Sequence, residues 1–213
     1  TGIADSNILG RIGLAFDESN NTIYMAYVIN TGSSGADPRN AIAVKGVLGP
    51  TMQLQQVGKW SLSGNGTHAD ISAMGGKWAV AFQDKTATQE QLKVVSSATP
   101  AAPEIVAKGN QAGRLPAIQL LPNDKLAVAH QFKEKLTSKS TGQVIVLGPG
   151  LVFEKSHDVS STTGGGLDNQ LSLNTSVNPP LLLYGSIAIR SSTEFLGHVA
   201  TAPLNTLTFV GKD

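Results

Sequence analysis

Six polar or charged residues stand at similar places in the sequence, each at the beginning of a short apolar run. They are Arg11, His68, Asp70, Arg114, Asp168 and Asn169. A guanidinium group is a planar fork that binds carboxylates and hydroxyl-bearing ligands through paired hydrogen bonds. If folding brings these residues to one ring, the two arginines would face carboxylates, and these groups could clasp a sugar, a ligand carboxylate or each other. The alternative is that they form salt bridges and turn caps between neighbouring structural units.

A second group of candidates lies where four later apolar runs end. These positions carry aromatic rings beside amide and carboxylate groups: Tyr27, Phe82, Gln83, Asp84, His130, Gln131 and Tyr184. Sugar recognition uses this combination, because a ring stacks on the apolar face of a pyranose while amides and carboxylates bond its hydroxyls. The alternative is that the rings fill the interior, where aromatic side chains dominate buried area.

Catalysis by paired carboxylates requires two acidic groups about 5 to 10 Å apart in one cleft. Asp70, Asp84 and Asp168 are the candidates by position, but no motif pairs them, so no catalytic residue is predicted. Asp17 and Glu18 fall in a turn and are predicted to be solvated. The four histidines are widely spaced and cysteine is absent, so neither a metal site nor a cofactor is predicted.

The elements that must position these residues repeat four times. The segments Gly10–Val28, Thr67–Asp84, Leu115–Phe132 and Asn169–Ile187 each read as a strand, a turn and a second strand. The second strands begin near Ile23, Trp78, Leu126 and Leu181, at spacings of 55, 48 and 55 residues. Two further short apolar runs follow each hairpin, and no stretch shows sustained helical periodicity.

Four strands repeated about every 50 residues indicate an all-β fold, a four-bladed β-propeller of four-stranded antiparallel blades. We expect one domain over 1–213, with blades at about 8–64, 65–111, 112–163 and 167–211. Blade 1 would then close the ring by contact with blade 4. The alternatives are part of a larger propeller, a ring completed by another chain, or a β-sandwich.

The runs "PNDKLAVAHQ" and "MGGKWAVAFQD" resemble the blades of sialidase-like and lectin-like propellers. In those proteins an inner strand, an Asn-containing turn and an apolar strand ending in an aromatic residue often follow one another. The Asp-box of sialidases, Ser-x-Asp-x-Gly-x-Thr-Trp, is absent here. The resemblance implies a propeller that binds carbohydrate.

The composition and charge of the chain argue against some classes of partner. Charged residues make up 15% of the 213 residues, the formal net charge is +1 and no basic tract occurs, so a nucleic-acid partner is not expected. The apolar runs are too short to span a bilayer. Sequons at Asn20, Asn65 and Asn174 fit a secreted glycoprotein, which predicts an extracellular location.

These observations favour a carbohydrate-binding, lectin-like propeller whose partner is a glycan. One alternative is a protein-interaction propeller that contacts a surface protein through the long connections Ile29–Asn40 and Lys133–Thr141. Another is a glycoside hydrolase or lyase that uses carboxylates in the propeller cleft. A binding role is favoured over an enzymatic one, and an oligomer is left open.

Overall fold

The computed structural model describes residues 8–31, 38–133, 140–159, 167–191 and 194–212. These residues form four separate antiparallel sheets, each built from four strands that are consecutive in the chain. The molecule is therefore an all-β, four-bladed propeller, and the predicted fold class is confirmed. No helix in the described ranges is long and apolar enough to cross a membrane.

The first two blades follow directly from the predicted hairpins. Blade 1 contains β1 (Ile8–Asp17), β2 (Thr22–Asn30), β3 (Arg39–Val47) and β4 (Gln55–Ser61). Blade 2 contains β5 (Ala69–Met74), β6 (Lys77–Lys85), β7 (Glu90–Ser96) and β8 (Glu104–Gly109).

The last two blades repeat the same order of strands. Blade 3 contains β9 (Arg114–Leu120), β10 (Leu126–Lys133), β11 (Ser140–Leu147) and β12 (Phe153–Asp158). Blade 4 contains β13 (Leu167–Asn174), β14 (Leu181–Ser191), β15 (Glu194–Pro203) and β16 (Val210–Lys212). In each blade the first strand is innermost, because β1, β5, β9 and β13 contact one another in succession.

The β5–β6 hairpin shows how local sequence sets this arrangement. Met74 pairs with Lys77, so the loop has only two residues, Gly75 and Gly76. Both have positive φ, 63° and 78°, which is the backbone of a tight type I′ turn that glycine adopts without strain. The turn fixes the register of the two strands and therefore the faces on which their side chains lie.

Three apolar clusters join neighbouring blades. Blades 1 and 2 share a cluster around Trp60 and Phe82, blades 2 and 3 share one around Leu92 and Ile118, and blades 3 and 4 share one around Tyr184. Fully buried alanines at alternate positions of β6 and β10 allow the sheets to approach closely. The apolar burial in these clusters is the main driving force for stacking the blades.

The junction between blades 1 and 4 differs from the other three. Among the described residues, β1 and β13 lie farther apart than the other neighbouring innermost strands, and the remaining apolar cluster of blade 1 includes no residue of blade 4. Ile12, Leu14 and Phe16 alternate along β1 and are about half exposed or more. Polar contacts made by Arg11 connect these two blades, as described below.

Candidate functional site

The innermost strands begin at one end of the propeller, here called the leading end; the hairpins that join them to the second strands lie at the opposite, hairpin end. Gly10, Leu115 and Asp168 have φ values of 68°, 46° and 47° near the beginnings of three innermost strands. The ladder pairing is irregular beside each of them. Left-handed backbone at a leucine and an aspartate costs about 1 kcal/mol or more each, and such strain concentrates at binding sites.

Arg11 occupies the centre of the leading end. Its guanidinium donates to the Asp168 carboxylate at 2.7 Å, to the Pro116 carbonyl oxygen at 2.7 Å and to the Asn169 carbonyl oxygen at 3.1 Å. The structure therefore brings together three of the six residues predicted to form a ring. Because these contacts join blades 1, 3 and 4, the alternative of salt bridges between blades describes Arg11 and Asp168.

Asn169 and Tyr184 form a buried pair beside Arg11. The Tyr184 hydroxyl donates to the Asn169 side-chain oxygen at 2.9 Å, and the Asn169 amide donates to the Leu115 carbonyl oxygen at 2.8 Å. Burial raises the pKa of Tyr184 to about 12. The pair holds the beginnings of β9 and β13 together and offers no ring face to a ligand.

A pocket of about 370 Å³ opens at the leading end between blades 2 and 3. Its lining comprises Asn65, Thr67, His68, Gln83, Lys85, Arg114, Leu115 and Gln131. Four predicted residues from both groups of candidates lie here: His68, Gln83, Arg114 and Gln131. Its volume falls in the range of ligand sites, and its lining side chains are mostly hydrogen-bonding groups. We call this cavity the leading-end pocket.

The two cationic side chains that line the pocket, Lys85 and Arg114, are both paired with the carboxylate of Glu90. Arg114 donates to Glu90 through Nε at 3.0 Å and Nη2 at 2.9 Å, and Lys85 Nζ lies 3.2 Å from Glu90 Oε1. Burial acts to raise the pKa of Glu90, but the hydrogen bonds and charges of Arg114 and Lys85 outweigh it and lower the pKa. The arrangement fixes the orientation of the Arg114 guanidinium.

Sequence reasoning missed Lys85 and Glu90, although a signal was present. They flank the short connection after the second strand of blade 2 and pair across β6 and β7. Opposite charges at the two ends of a tight connection are expected to meet, because facing residues of antiparallel strands lie about 5 Å apart.

His68 forms another wall of the leading-end pocket. Burial lowers its pKa, and the nearby positive charges of Arg11 and Arg114 lower it further. Its Nδ1 lies 2.7 Å from the Thr67 hydroxyl oxygen. The ring is therefore neutral at pH 7 and can hydrogen-bond without adding charge.

The aromatic candidates lie in the interior. Phe82 and His130 are fully buried, and Tyr27 and Tyr184 are nearly so. Phe82 stacks on Trp60 with ring centroids 5.8 Å apart, and burial lowers the pKa of His130 to about 4. These rings stabilise the blades, so the alternative of interior filling describes them and stacking on a sugar does not.

Asp84 is also fully buried. Its Oδ2 lies 2.6 Å from Lys93 Nζ, and its Oδ1 accepts the Ser63 backbone amide at 2.9 Å. The carboxylate thus joins the end of β6 to the segment that follows β4. Its two oxygens are occupied by partners within the fold, and it does not line the leading-end pocket.

Asp70 belongs to a separate cavity of about 260 Å³ in the central channel. The other polar side chains of its lining are Ser72, Gln119 and Gln170. Asp70 Oδ2 accepts the Ile118 backbone amide at 3.0 Å. Burial raises the pKa of Asp70 although that hydrogen bond and the charge of Arg11 oppose the rise.

The expectation that Asp17 is solvated was wrong. Asp17 is only 3% exposed, because its carboxylate caps the β5–β6 hairpin of the next blade. It accepts the backbone amides of Gly75 at 3.2 Å and Gly76 at 2.6 Å, and the Ser19 hydroxyl at 2.7 Å. Burial acts to raise its pKa, but these hydrogen bonds outweigh burial and lower it.

Other sequence predictions fall partly or wholly outside these cavities. Within the described residues no cluster of three or more metal-ligating side chains occurs. The connections Ile29–Asn40 and Lys133–Thr141 include residues 32–37 and 134–139, which lie outside the described ranges. Of the three sequon asparagines, Asn20 and Asn65 are exposed and Asn174 is half-buried.

The comparisons with known proteins concern the fold. No protein-family model matches the chain, and no curated protein matches it in sequence. An endo-arabinase from Bacteroides thetaiotaomicron VPI-5482 is similar in structure with a TM-score of 0.53 and 12% identity, over 97% of this chain and 80% of that one. An exo-1,5-alpha-L-arabinanase from a bovine ruminal metagenomic library has a TM-score of 0.48 and 8% identity, over 92% and 73%. The chain is a β-propeller without a specific family.

Proposed function

We propose that this propeller is a carbohydrate-binding protein whose binding site is the leading-end pocket. One observation carries the proposal: a cavity of about 370 Å³ lies between two blades and presents amides, a hydroxyl, a neutral imidazole and two cations. Sugars carry many hydroxyl groups, and sites that bind them use such donors and acceptors. The likeness to the endo-arabinase concerns the fold, so the pocket is the basis of this assignment.

The residues of the leading-end pocket have distinct roles in this proposal. Gln83 and Gln131 contribute side-chain amides to the lining, where Gln83 Nε2 also lies 3.5 Å from Glu90 Oε2, and Arg114 offers N–H groups that Glu90 leaves unoccupied. Leu115 supplies an apolar surface for C–H groups of the ring. Because blades 2 and 3 both contribute, the pocket depends on their relative position, which the shared apolar cluster fixes.

A glycan-array screen of the purified chain tests the proposal. The chain should be free of glycans and presented at high density, because the sequon residue Asn65 lines the pocket and an attached glycan would occupy it. We expect selective binding that free glycan competes. A blank array would contradict a carbohydrate-binding role and shift attention to a surface protein as partner.

Two variants test whether the leading-end pocket is the site that binds glycan. Gln131→Leu removes two hydrogen-bonding groups from the pocket and should weaken binding about tenfold, since one hydrogen bond contributes about 1 kcal/mol. Gln56→Leu makes the same change on an exposed part of β4 and should leave binding unchanged. Circular dichroism and thermal unfolding would check that both variants are folded. Equal affinities would exclude the leading-end pocket.

Glycoside hydrolysis is the second candidate function, and Asp70 favours it. A half-buried carboxyl with a raised pKa in a cavity suits a general acid. However, Asp70 is the one carboxylate among the described residues that line the central cavity, whereas glycosidases ordinarily need two. Incubating the chain with the bound glycan and analysing the products would decide; turnover abolished by Asp70→Asn would establish an enzyme.

We also propose that the protein is secreted and glycosylated. The sequon asparagine Asn20 is exposed and lies outside the leading-end pocket, so a glycan attached there would leave the pocket open. Expression through a eukaryotic secretory route should give a product whose mass falls on enzymatic deglycosylation. An unchanged mass would contradict the use of these sequons.

A further inference from the structure

We propose that the leading-end pocket selects glycans that carry a carboxylate, namely hexuronate residues, over neutral sugars. This inference rests on the proposed function and adds the class of ligand. Three observations support it: the net positive charge in and around the pocket, the exposure of the charged side chains, and the N–H groups of Arg114 that Glu90 does not engage.

The charges near the pocket do not cancel. Lys85 and Arg114 contribute two positive charges, and both are paired with the single carboxylate of Glu90. Among the described residues, no aspartate or glutamate lines the pocket. His68 is neutral at pH 7, because burial and the neighbouring arginines lower its pKa. One positive charge is therefore left without a counterion among these residues.

The neighbouring carboxylates have partners of their own: Asp70 accepts the Ile118 backbone amide at 3.0 Å and lies near Arg11. Asp84 is fully buried against Lys93, and Asp168 is paired with Arg11. Each of these pairs is electrically neutral as a unit. These pairs therefore do not cancel the net positive charge of Lys85, Arg114 and Glu90. The positive charges of Arg11 and Arg114 also lower the pKa of His68.

The cationic side chains of Arg114 and Lys85 are more exposed to solvent than the carboxylate of Glu90. The side chain of Glu90 is 12% exposed, whereas those of Arg114 and Lys85 are 37% and 43% exposed. Glu90 engages Nε and one N–H of Nη2, so the guanidinium keeps N–H groups for a second carboxylate. Arginine forks bind carboxylates through two parallel hydrogen bonds.

A hexuronate fits both halves of the pocket. Its carboxylate would pair with Arg114 and Lys85, while its ring hydroxyls would bond Gln83 and Gln131. A neutral sugar could satisfy the amides but would leave the excess positive charge uncompensated. Hydrogen bonds to a charged group are about twice as strong as those between neutral groups, which makes the carboxylate the discriminating feature.

The test compares oligosaccharides that differ only in charge. Trimers of galacturonate, glucuronate, mannuronate and guluronate would each be titrated calorimetrically into the chain beside the fully methyl-esterified form of the same trimer. We expect at least one acid form to bind about tenfold or more tightly than its ester, and the ratio to fall as salt rises. Binding of neutral glycans or esters at least as tightly as acids would overturn the inference but leave the proposed function standing. No binding of any glycan would overturn both.

Variants then assign the discrimination to the pocket. In Lys85→Gln and in Arg114→Gln the acid-to-ester ratio should fall toward one, while binding of the ester changes less. Lys125→Gln removes the same charge from an exposed ion pair with Glu154 at the hairpin end and should keep the full ratio. Using two variants guards against a folding defect in one. An unchanged ratio in both folded variants would contradict the proposal.

Discussion

The leading end and the hairpin end of the propeller differ in how their charged side chains are buried and paired, although the same strands form both. At the leading end, Asp84, Glu90 and Arg11 are largely buried and contact other blades or the segments that join them. At the hairpin end, both side chains of the Lys77–Asp124 pair are more than half exposed, and those of the Lys125–Glu154 pair are about one-third exposed.

The two cavities between blades 2 and 3 show the same contrast. The leading-end pocket is lined by amides and cations, whereas the lining of a cavity of about 240 Å³ at the hairpin end combines Trp78 and several leucines with the exposed Lys77–Asp124 pair. Buried polar groups require partners in fixed positions, so they impose a defined geometry on their surroundings. The proposed binding site therefore lies at the end of the propeller where amides and cations line the cavity.

Removing a buried charge at the leading end should have the largest effect. Asp84→Ala leaves Lys93, whose side chain is 16% exposed, without its partner. We expect the free energy of unfolding to fall by about 3 to 5 kcal/mol, the usual result of breaking a buried pair on one side. Urea unfolding would measure it, with Asp124→Ala as the control at the hairpin end. A loss below about 1 kcal/mol would remove the contrast.

The pH dependence of stability should also reside at the leading end. The pKa of His130 is about 4 in the folded protein, whereas an unfolded histidine has an ordinary value of about 6.5. As pH falls from about 6.5 to 4, the unfolded state takes up a proton that the folded state rejects, so stability is lost. The expected loss is about 3 kcal/mol.

Chemical denaturation at several pH values would measure this loss. His130→Gln should lower stability at pH 7 but flatten its decline between pH 6.5 and 4. His68 and His157, whose pKa values are also lowered by burial, contribute in the same direction and would leave a residual slope. A decline as steep in the variant as in the parent would contradict the assignment to His130.

Arg11→Leu should have an intermediate effect. It removes the donors that join blade 1 to blades 3 and 4, so the carbonyls of Pro116 and Asn169 lose their hydrogen bonds from Arg11. We expect the free energy of unfolding to fall by about 1 to 3 kcal/mol, since removing the donor of a buried acceptor carries a desolvation cost. Hydrogen exchange should report faster opening of β1, β9 and β13 than of β5. Uniform changes across the four strands would argue against a bridging role.

The smallest effect is expected at the hairpin end. Lys77→Gln breaks an ion pair in which both side chains are more than half exposed. Exposed pairs typically contribute less than about 1 kcal/mol, and salt screens them. Thermal unfolding in low and high salt should show little difference between variant and parent. A loss comparable to that of Asp84→Ala would break the comparison.

The fold was predictable because hairpins repeat with turn residues that have a physical meaning. Gly75 and Gly76 mark a type I′ turn by themselves, and the spacing of about 50 residues indicates blades. The beginnings of the innermost strands were also predictable, and they brought Arg11 to Asp168 and Asn169.

The faces of the predicted site residues were harder to predict than their places, because sequence gives the position of a residue along a strand better than its face. Phe82 and Gln83 are neighbours, yet Phe82 stacks on Trp60 in the interior while Gln83 lines the leading-end pocket. Glu90 was missed because its role depends on Arg114, which belongs to the next blade. Contacts between blades are set by tertiary structure and leave no local pattern.

The most direct test of the central claim is chemical-shift mapping with the tightest glycan from the array. Backbone and side-chain amide resonances would be followed during the titration. The proposal predicts the largest changes at His68, Gln83, Arg114 and Gln131, with the amides around Trp78 and Leu151 unaffected. Changes concentrated around Trp78 and Leu151, or around Asp70 in the central cavity, would contradict a leading-end binding site.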